Sequence, residues 1–175
     1  MWTFLNIRDI FQANPLWQGV WFLAFFVAVY NFWFCKDQKF VILTWIVSIL
    51  FWFHFISLWL MTAWVINFLD AFKNFISLKY EKNIYWVIWL SILYLCIGYF
   101  TYDGYLSLIP LWAALFSTYL VFYVRGIKLN LWFMVIVVAY MLYNYMWNSL
   151  WGFSTDVFLL FFGVFGIWNQ LRESI

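Results

Sequence analysis

Few residues in this 175-residue chain are able to do chemistry, and most of them sit inside apolar runs. Asn67, Asp70 and Asn74 follow i, i+3, i+7 spacing, which places them on one stripe of a helix. Lys73 flanks that stripe, three residues after Asp70. A carboxylate at bilayer depth is costly unless it is paired, hydrated or protonated, so Asp70 needs a partner and Lys73 is within reach. Two readings stay open. One is a midplane binding or proton-coupled site on a central pathway. The other is an internal salt bridge between packed helices, with Lys73 snorkelling toward the cytoplasm.

His54 stands alone, without a second ligand, and so does not make a metal site. It reads as a hydrogen-bonded structural imidazole, or as a substrate contact or proton relay. Asn144 and Asn148 are spaced i, i+4, and helix-to-helix hydrogen bonding is their default role. Asp156 reads as a first-turn carboxylate that favours the helix dipole, hence a cap. Gln18 lies one turn inside the first apolar run, where it either lines a pathway or faces the headgroups. Gly163 and Gly166 mark points of close helix approach. No nucleophile with a base, phosphate-cradling glycine loop or zinc motif is present in the sequence. The expectation is a non-enzyme without cofactor or metal.

The elements that must position these groups follow from composition. The chain is 69% hydrophobic and 9% charged, with a mean hydropathy of +0.91. Soluble domains carry about 25% charged residues, so a water-facing surface cannot be built from this chain. Nine Lys and Arg against seven Asp and Glu leave no dense basic face for nucleic acid. Cys35 and Cys96 make no disulfide framework. A polytopic membrane protein remains, and the apolar runs are continuous rather than alternating, which excludes a β-barrel.

A bilayer core takes about 20 apolar residues per helix. Charges and turn formers cut the chain into spans at 15–34, 40–59, 61–79, 84–102, 105–124, 129–148 and 152–170. The weak boundary is Ser57-Leu58-Trp59, where no charge separates spans two and three. Seven spans gather Lys36, Lys39, Lys79, Lys82, Arg125, Lys128 and Arg172 on one side and leave Arg8 on the other. The positive-inside rule then puts the N-terminus outside and the C-terminus in the cytoplasm. Residues 1–14 read as an outer segment without a cleavable signal, and Asn14-Pro15 as a helix start.

An internal repeat is expected within this single integral domain. Pro15-Leu16-Trp17 recurs as Pro110-Leu111-Trp112, and these are the only two prolines. Each opens a helix that ends at a basic connection. Residues 15–79 and 105–170 thus read as two triple-helix units, with 84–102 as the linker that lets them run parallel. In this all-α, 3+1+3 arrangement Asn144 falls roughly where the repeat puts a counterpart of His54.

The aromatic fraction is 29%, with 15 Trp, 12 Tyr and 23 Phe. Trp17, Trp21, Trp59, Trp86, Trp147 and Trp151 lie near span ends, as interfacial belts require. Trp45, Trp52, Trp64 and Trp89 lie deeper, where rings either fill space or stack on a planar ligand.

The chain resembles the YgjV-like bacterial inner-membrane proteins. The likeness rests on Gln18-Gly19, Asp37, Phe40, His54-Phe55 and Phe72-Lys73-Asn74-Phe75-Ile76-Ser77. In the second half it rests on Arg125-Gly126-Ile127, Asn144, Ser149 to Gly152 and Asp156. The family carries Asn where this chain has Asp70, and Asn-rich positions where it has Gly163 and Gly166. More remotely, an outside N-terminus with three-plus-one-plus-three helices looks like the SWEET sugar transporters and the PnuC-type vitamin transporters. The hinge prolines of the SWEET group are missing from spans two and six.

The resemblance implies a multi-pass protein of the bacterial inner membrane. The expected function is transport of a small polar or aromatic solute along a central polar path, lined by Asp70, Asn67, Asn74, His54, Asn144 and Lys73. The rival expectation is a structural or accessory subunit that docks on membrane proteins or lipids through its aromatic faces. The lipid bilayer is the assured partner in either case, with a homo-oligomer or membrane-protein partner open and no nucleic acid.

Overall fold

The computed structural model describes residues 15–35, 37–57, 61–102, 104–146 and 150–173. These residues form seven α-helices and one short 3₁₀ turn, with no strand among them. The helices are α1 (Pro15–Phe34), α2 (Asp37–Ser57), α3 (Met61–Lys79), α4 (Ile84–Phe100), α5 (Leu108–Tyr123), α6 (Ile127–Met146) and α7 (Leu150–Glu173). The 3₁₀ turn Tyr105–Ser107 leads into α5. The breaks after α3, α4 and α5 fall at charged and turn-forming residues that cut the sequence, whereas α7 starts at Leu150, two residues before the expected 152. The outer segment 1–14 and the turn at Leu58-Trp59 lie outside the described residues, as do Asn148 and the side chain of Gln18.

Among the described residues, three stretches are long and apolar enough to cross a membrane: Tyr105–Tyr123, Ile127–Met146 and Phe153–Arg172. Shorter apolar helices run over Gly19–Phe34, Gln38–His54 and Ile84–Phe100. The polar stripe of α3 lowers its hydropathy, although its length matches its neighbours.

Local chemistry explains the punctuation. Asn83 caps α4 by accepting hydrogen bonds from the backbone N–H groups of Tyr85 (3.0 Å) and Trp86 (3.4 Å). Gly126, at φ +68°, takes the left-handed conformation that turns α5 into α6, and its carbonyl accepts from the N–H of Leu129 at 3.0 Å.

Six helices close a ring. α1 packs on α2, α2 on α3, α3 on α5, α5 on α6, α6 on α7, and α7 returns to α1. α4 lies outside the ring against α5 and α3. The α1–α7 closure depends on a small residue, as expected: a Cβ on Gly166 would strike the carbonyls of Phe32 and Trp33, while on the α6 side one on Gly163 would strike the Met134 side chain. The main apolar core lies beside this closure, where Phe32, Phe40, Leu129, Met134, Val137 and Ile167 meet.

Large apolar side chains on the outer surface, such as Phe26, Tyr85, Trp89, Tyr99, Phe100 and Trp168, are exposed, as lipid-facing groups are. The deep rings mostly pack on one another. Trp45 meets Phe75, Trp89 meets Phe72 and Trp86, and Trp52 stacks on Trp64 with centroids 6.5 Å apart. Ring-on-ring packing therefore accounts for their depth.

Candidate functional site

Asp70 and Lys73 lie one turn apart on α3, and the i, i+3 spacing brings Nζ to within 2.5 Å of Asp70 Oδ1. The pair is not isolated. Tyr94 of α4 donates its hydroxyl to the same Oδ1, and Lys73 donates to Ser117 Oγ of α5 at 2.7 Å. Three helices thus converge on one ion pair. Lys73 is 3% exposed. The expected snorkelling toward the cytoplasm is therefore overturned, because Nζ finds an anion and a hydroxyl inside the bundle and has no reason to reach water. The Nζ also lies 5.5 Å from the Tyr94 ring centroid, so the phenol contacts both charges.

The rest of the α3 stripe behaves unevenly. Asn74 is 1% exposed and its Oδ1 has no hydrogen-bond partner among the described residues. Asn67 lies one turn before Asp70 and is half-buried. His54 is buried near the end of α2.

A second polar group forms between α6 and α7. Asn144 Nδ2 donates to Asp156 Oδ2 at 2.7 Å, and Asp156 is 8% exposed. The helix starts at Leu150, so Asp156 is in the second turn, and the expected first-turn cap is corrected: its carboxylate turns sideways to α6. Tyr140 of α6 is in electrostatic reach of both Asp70 and Asp156. Tyr94 is likewise in reach of Tyr140. The polar groups therefore form a line linked by hydrogen bonds and electrostatic reach, from Tyr94 and Asp70, by way of Tyr140, to Asp156 and Asn144.

The opposite, basic end is tied shut. Asn130 Nδ2 of α6 and Gln170 Nε2 of α7 both donate to the carbonyl of Cys35 at the end of α1, at 3.1 and 3.2 Å. Asn31 of α1 donates to the carbonyl of Phe40 and to Thr44 Oγ1 of α2, each at 3.0 Å. Across the other junction, Arg125 after α5 pairs with Glu81 at 3.0 Å and donates to the Ser77 carbonyl of α3 at 3.5 Å. The Cys35 thiol is buried here, and burial pushes it above its ordinary range while Lys39 pulls it down.

Comparison with known families now bears on these residues. The family model of the YgjV bacterial inner membrane proteins matches residues 16–174. The chain belongs to this family. No curated protein and no solved structure matches it. The match spans all seven helices and so includes both polar groups and both ties of the basic end. Inner-membrane residence follows from the family and agrees with the exposed apolar surface. The expected likeness to SWEET- and PnuC-type transporters is not shown by these comparisons.

Of the residues singled out in the sequence, Asp70 and Lys73 are joined, whereas Asn144 goes to Asp156. Tyr94, Ser117 and Tyr140 escaped notice, because Tyr and Ser in apolar helices read as ring filler and packing. Asn31, Asn130 and Gln170 were missed as well. Each was recoverable in principle, since a buried amide side chain in a membrane helix requires a partner.

Proposed function

We propose that this multi-pass protein moves a small solute through the centre of the six-helix ring. The observation that carries the reading is the polar line from Asp70 through Tyr140 to Asp156. In a chain with so few polar residues, such a line is costly to bury and is the expected signature of a pathway. Asn144, Asn67, Asn74 and His54 are the groups we assign to it alongside Asp70 and Lys73.

The ring order supports a 3+1+3 design. Helices α1–α3 and α5–α7 occupy successive halves, and the α3–α5 and α7–α1 junctions take equivalent places. Both junctions are tied at the basic end. With seven spans and the basic end in the cytoplasm, the conformation is closed inward and the N-terminus lies outside. α4 does more than link the halves, because it supplies Tyr94 to the buried pair. The rival reading, a docking subunit, has less behind it. Its main evidence would be the exposed rings of α4, Tyr85, Tyr99 and Phe100, which lipid contact already explains.

Vesicle swelling tests the proposal without a known substrate. Protein in phosphatidylethanolamine and phosphatidylglycerol vesicles is transferred into iso-osmotic glycerol, glycine, monosaccharides or nucleosides. Swelling faster than empty vesicles with at least one solute, and slowed several-fold by Tyr140→Phe, is expected. Swelling equal to empty vesicles with every solute, or unchanged by Tyr140→Phe, contradicts the reading.

A further inference from the structure

We infer that Asp156 is a proton-exchange site: its carboxyl takes a proton from water at the end opposite the basic cluster and gives it back during the transport cycle. The cyclic part rests on the transport reading above; the site itself rests on geometry.

Asp156 is buried, and its hydrogen bond comes from a neutral amide. Among the described residues, no cation on the helices packed against it can reach it. On its own helix Arg172 is sixteen residues away, about 24 Å at 1.5 Å per residue. On α6 the one cation, Lys128, lies equally far from Asn144. α1, the other helix packed on α7, has no charged side chain. The titratable groups on the facing side are Tyr140 and, beside it, Tyr143, with Asp70 beyond. Nothing in this set supplies positive charge. Asp70 has the opposite setting, with an ammonium on its Oδ1.

Asn144 suits a carboxyl that changes state. Its amide N–H donates to the ionised form, and after rotation of the amide its oxygen accepts from the protonated form. An ammonium such as Lys73 has no acceptor and holds only the ionised form. The location fits as well. Asp156 lies six residues past the start of α7, about 9 Å along it, close to the end opposite the ties of Cys35 and Arg125. The step is a protonation alone: a proton moves from water to a carboxylate oxygen of Asp156 and later returns to water, with no change at carbon and no electron transferred.

Infrared spectroscopy of the protein in bilayers of phosphatidylethanolamine and phosphatidylglycerol, titrated from mildly alkaline to mildly acidic pH, tests this directly. The wild type is expected to gain a protonated-carboxyl band that Asp156→Asn lacks, while the double variant Asp70→Asn/Lys73→Met keeps it. Asp156→Glu retains a titrating band, which guards against loss of fold as the cause. In Asn144→Leu, where the ionised form loses its donor, the band persists to more alkaline pH. A spectrum of folded Asp156→Asn that still gains the full wild-type band, or loss of the band in the double variant, overturns the inference. Swelling without the band would remove the proton site and leave the transport reading in place; the band without swelling would do the reverse.

Discussion

Asp70 and Asp156 are both acids inside one helical ring, yet their surroundings differ in kind. Asp70 is held by an ammonium and a phenol from two helices, and its cation is fixed in turn by Ser117 of a third. Asp156 has an amide. The first arrangement pairs the acid with a cation and joins α3, α4 and α5. The second tolerates either state and joins α6 to α7. A buried carboxylate thus takes its role from the charge of its partner more than from its depth, which is why the two sites call for different experiments.

The largest effect is expected from removing the cation at the first site. Lys73→Met leaves Asp70 without its counter-ion and should cost about 3–5 kcal/mol, measured as a lowered unfolding midpoint in lipid nanodiscs. Adding Asp70→Asn should restore most of that loss, because no lone charge remains. A double variant as unstable as Lys73→Met would show that the pair is not the source of the stability.

Tyr94→Phe comes next. It deletes one hydrogen bond to an ionised group that keeps its salt bridge, a loss of about 1.5–3 kcal/mol in the same assay. An effect near zero would mean that α4 docks by apolar packing alone. Asn144→Leu should cost about 1 kcal/mol at mildly acidic pH and more at alkaline pH, since Asp156 escapes the loss by taking a proton. A pH-independent cost would erase the distinction between the two acids. The smallest change is expected for Asp156→Asn, within about 1 kcal/mol at neutral pH, because an amide oxygen can accept the hydrogen bond that Asn144 gives the carboxyl. A loss as large as that of Lys73→Met would make Asp156 a second fixed charge.

How much of this was legible in the sequence follows the range of each interaction. The Asp70–Lys73 pair is local, and helical periodicity alone gives it. The breaks at Lys79–Lys82 and Arg125–Lys128 are local too, because charges end apolar runs. Gly166 was recognisable as a packing point, although its partner, the backbone at Phe32 and Trp33, was not. Tyr94 meets Asp70 across 24 residues and Gln170 meets Cys35 across 135, and no spacing rule encodes such pairs. Asp156 was misplaced for a subtler reason. Its role depended on where α7 begins, and a start at Gly152 turned a sideways carboxylate into a cap.

The central claim is that Tyr140 stands on a hydrated path between the two acids, while the outer faces meet lipid. Cysteine labelling reads that difference without a substrate. In a Cys35→Ala/Cys96→Ala background, Tyr140→Cys and Leu142→Cys are exposed in intact vesicles to a small, charged, water-soluble thiol reagent. Leu142 is 54% exposed on the same helix and serves as the lipid-facing control. The account predicts rapid modification at position 140 and little at 142. Modification at 142 with none at 140 would contradict it.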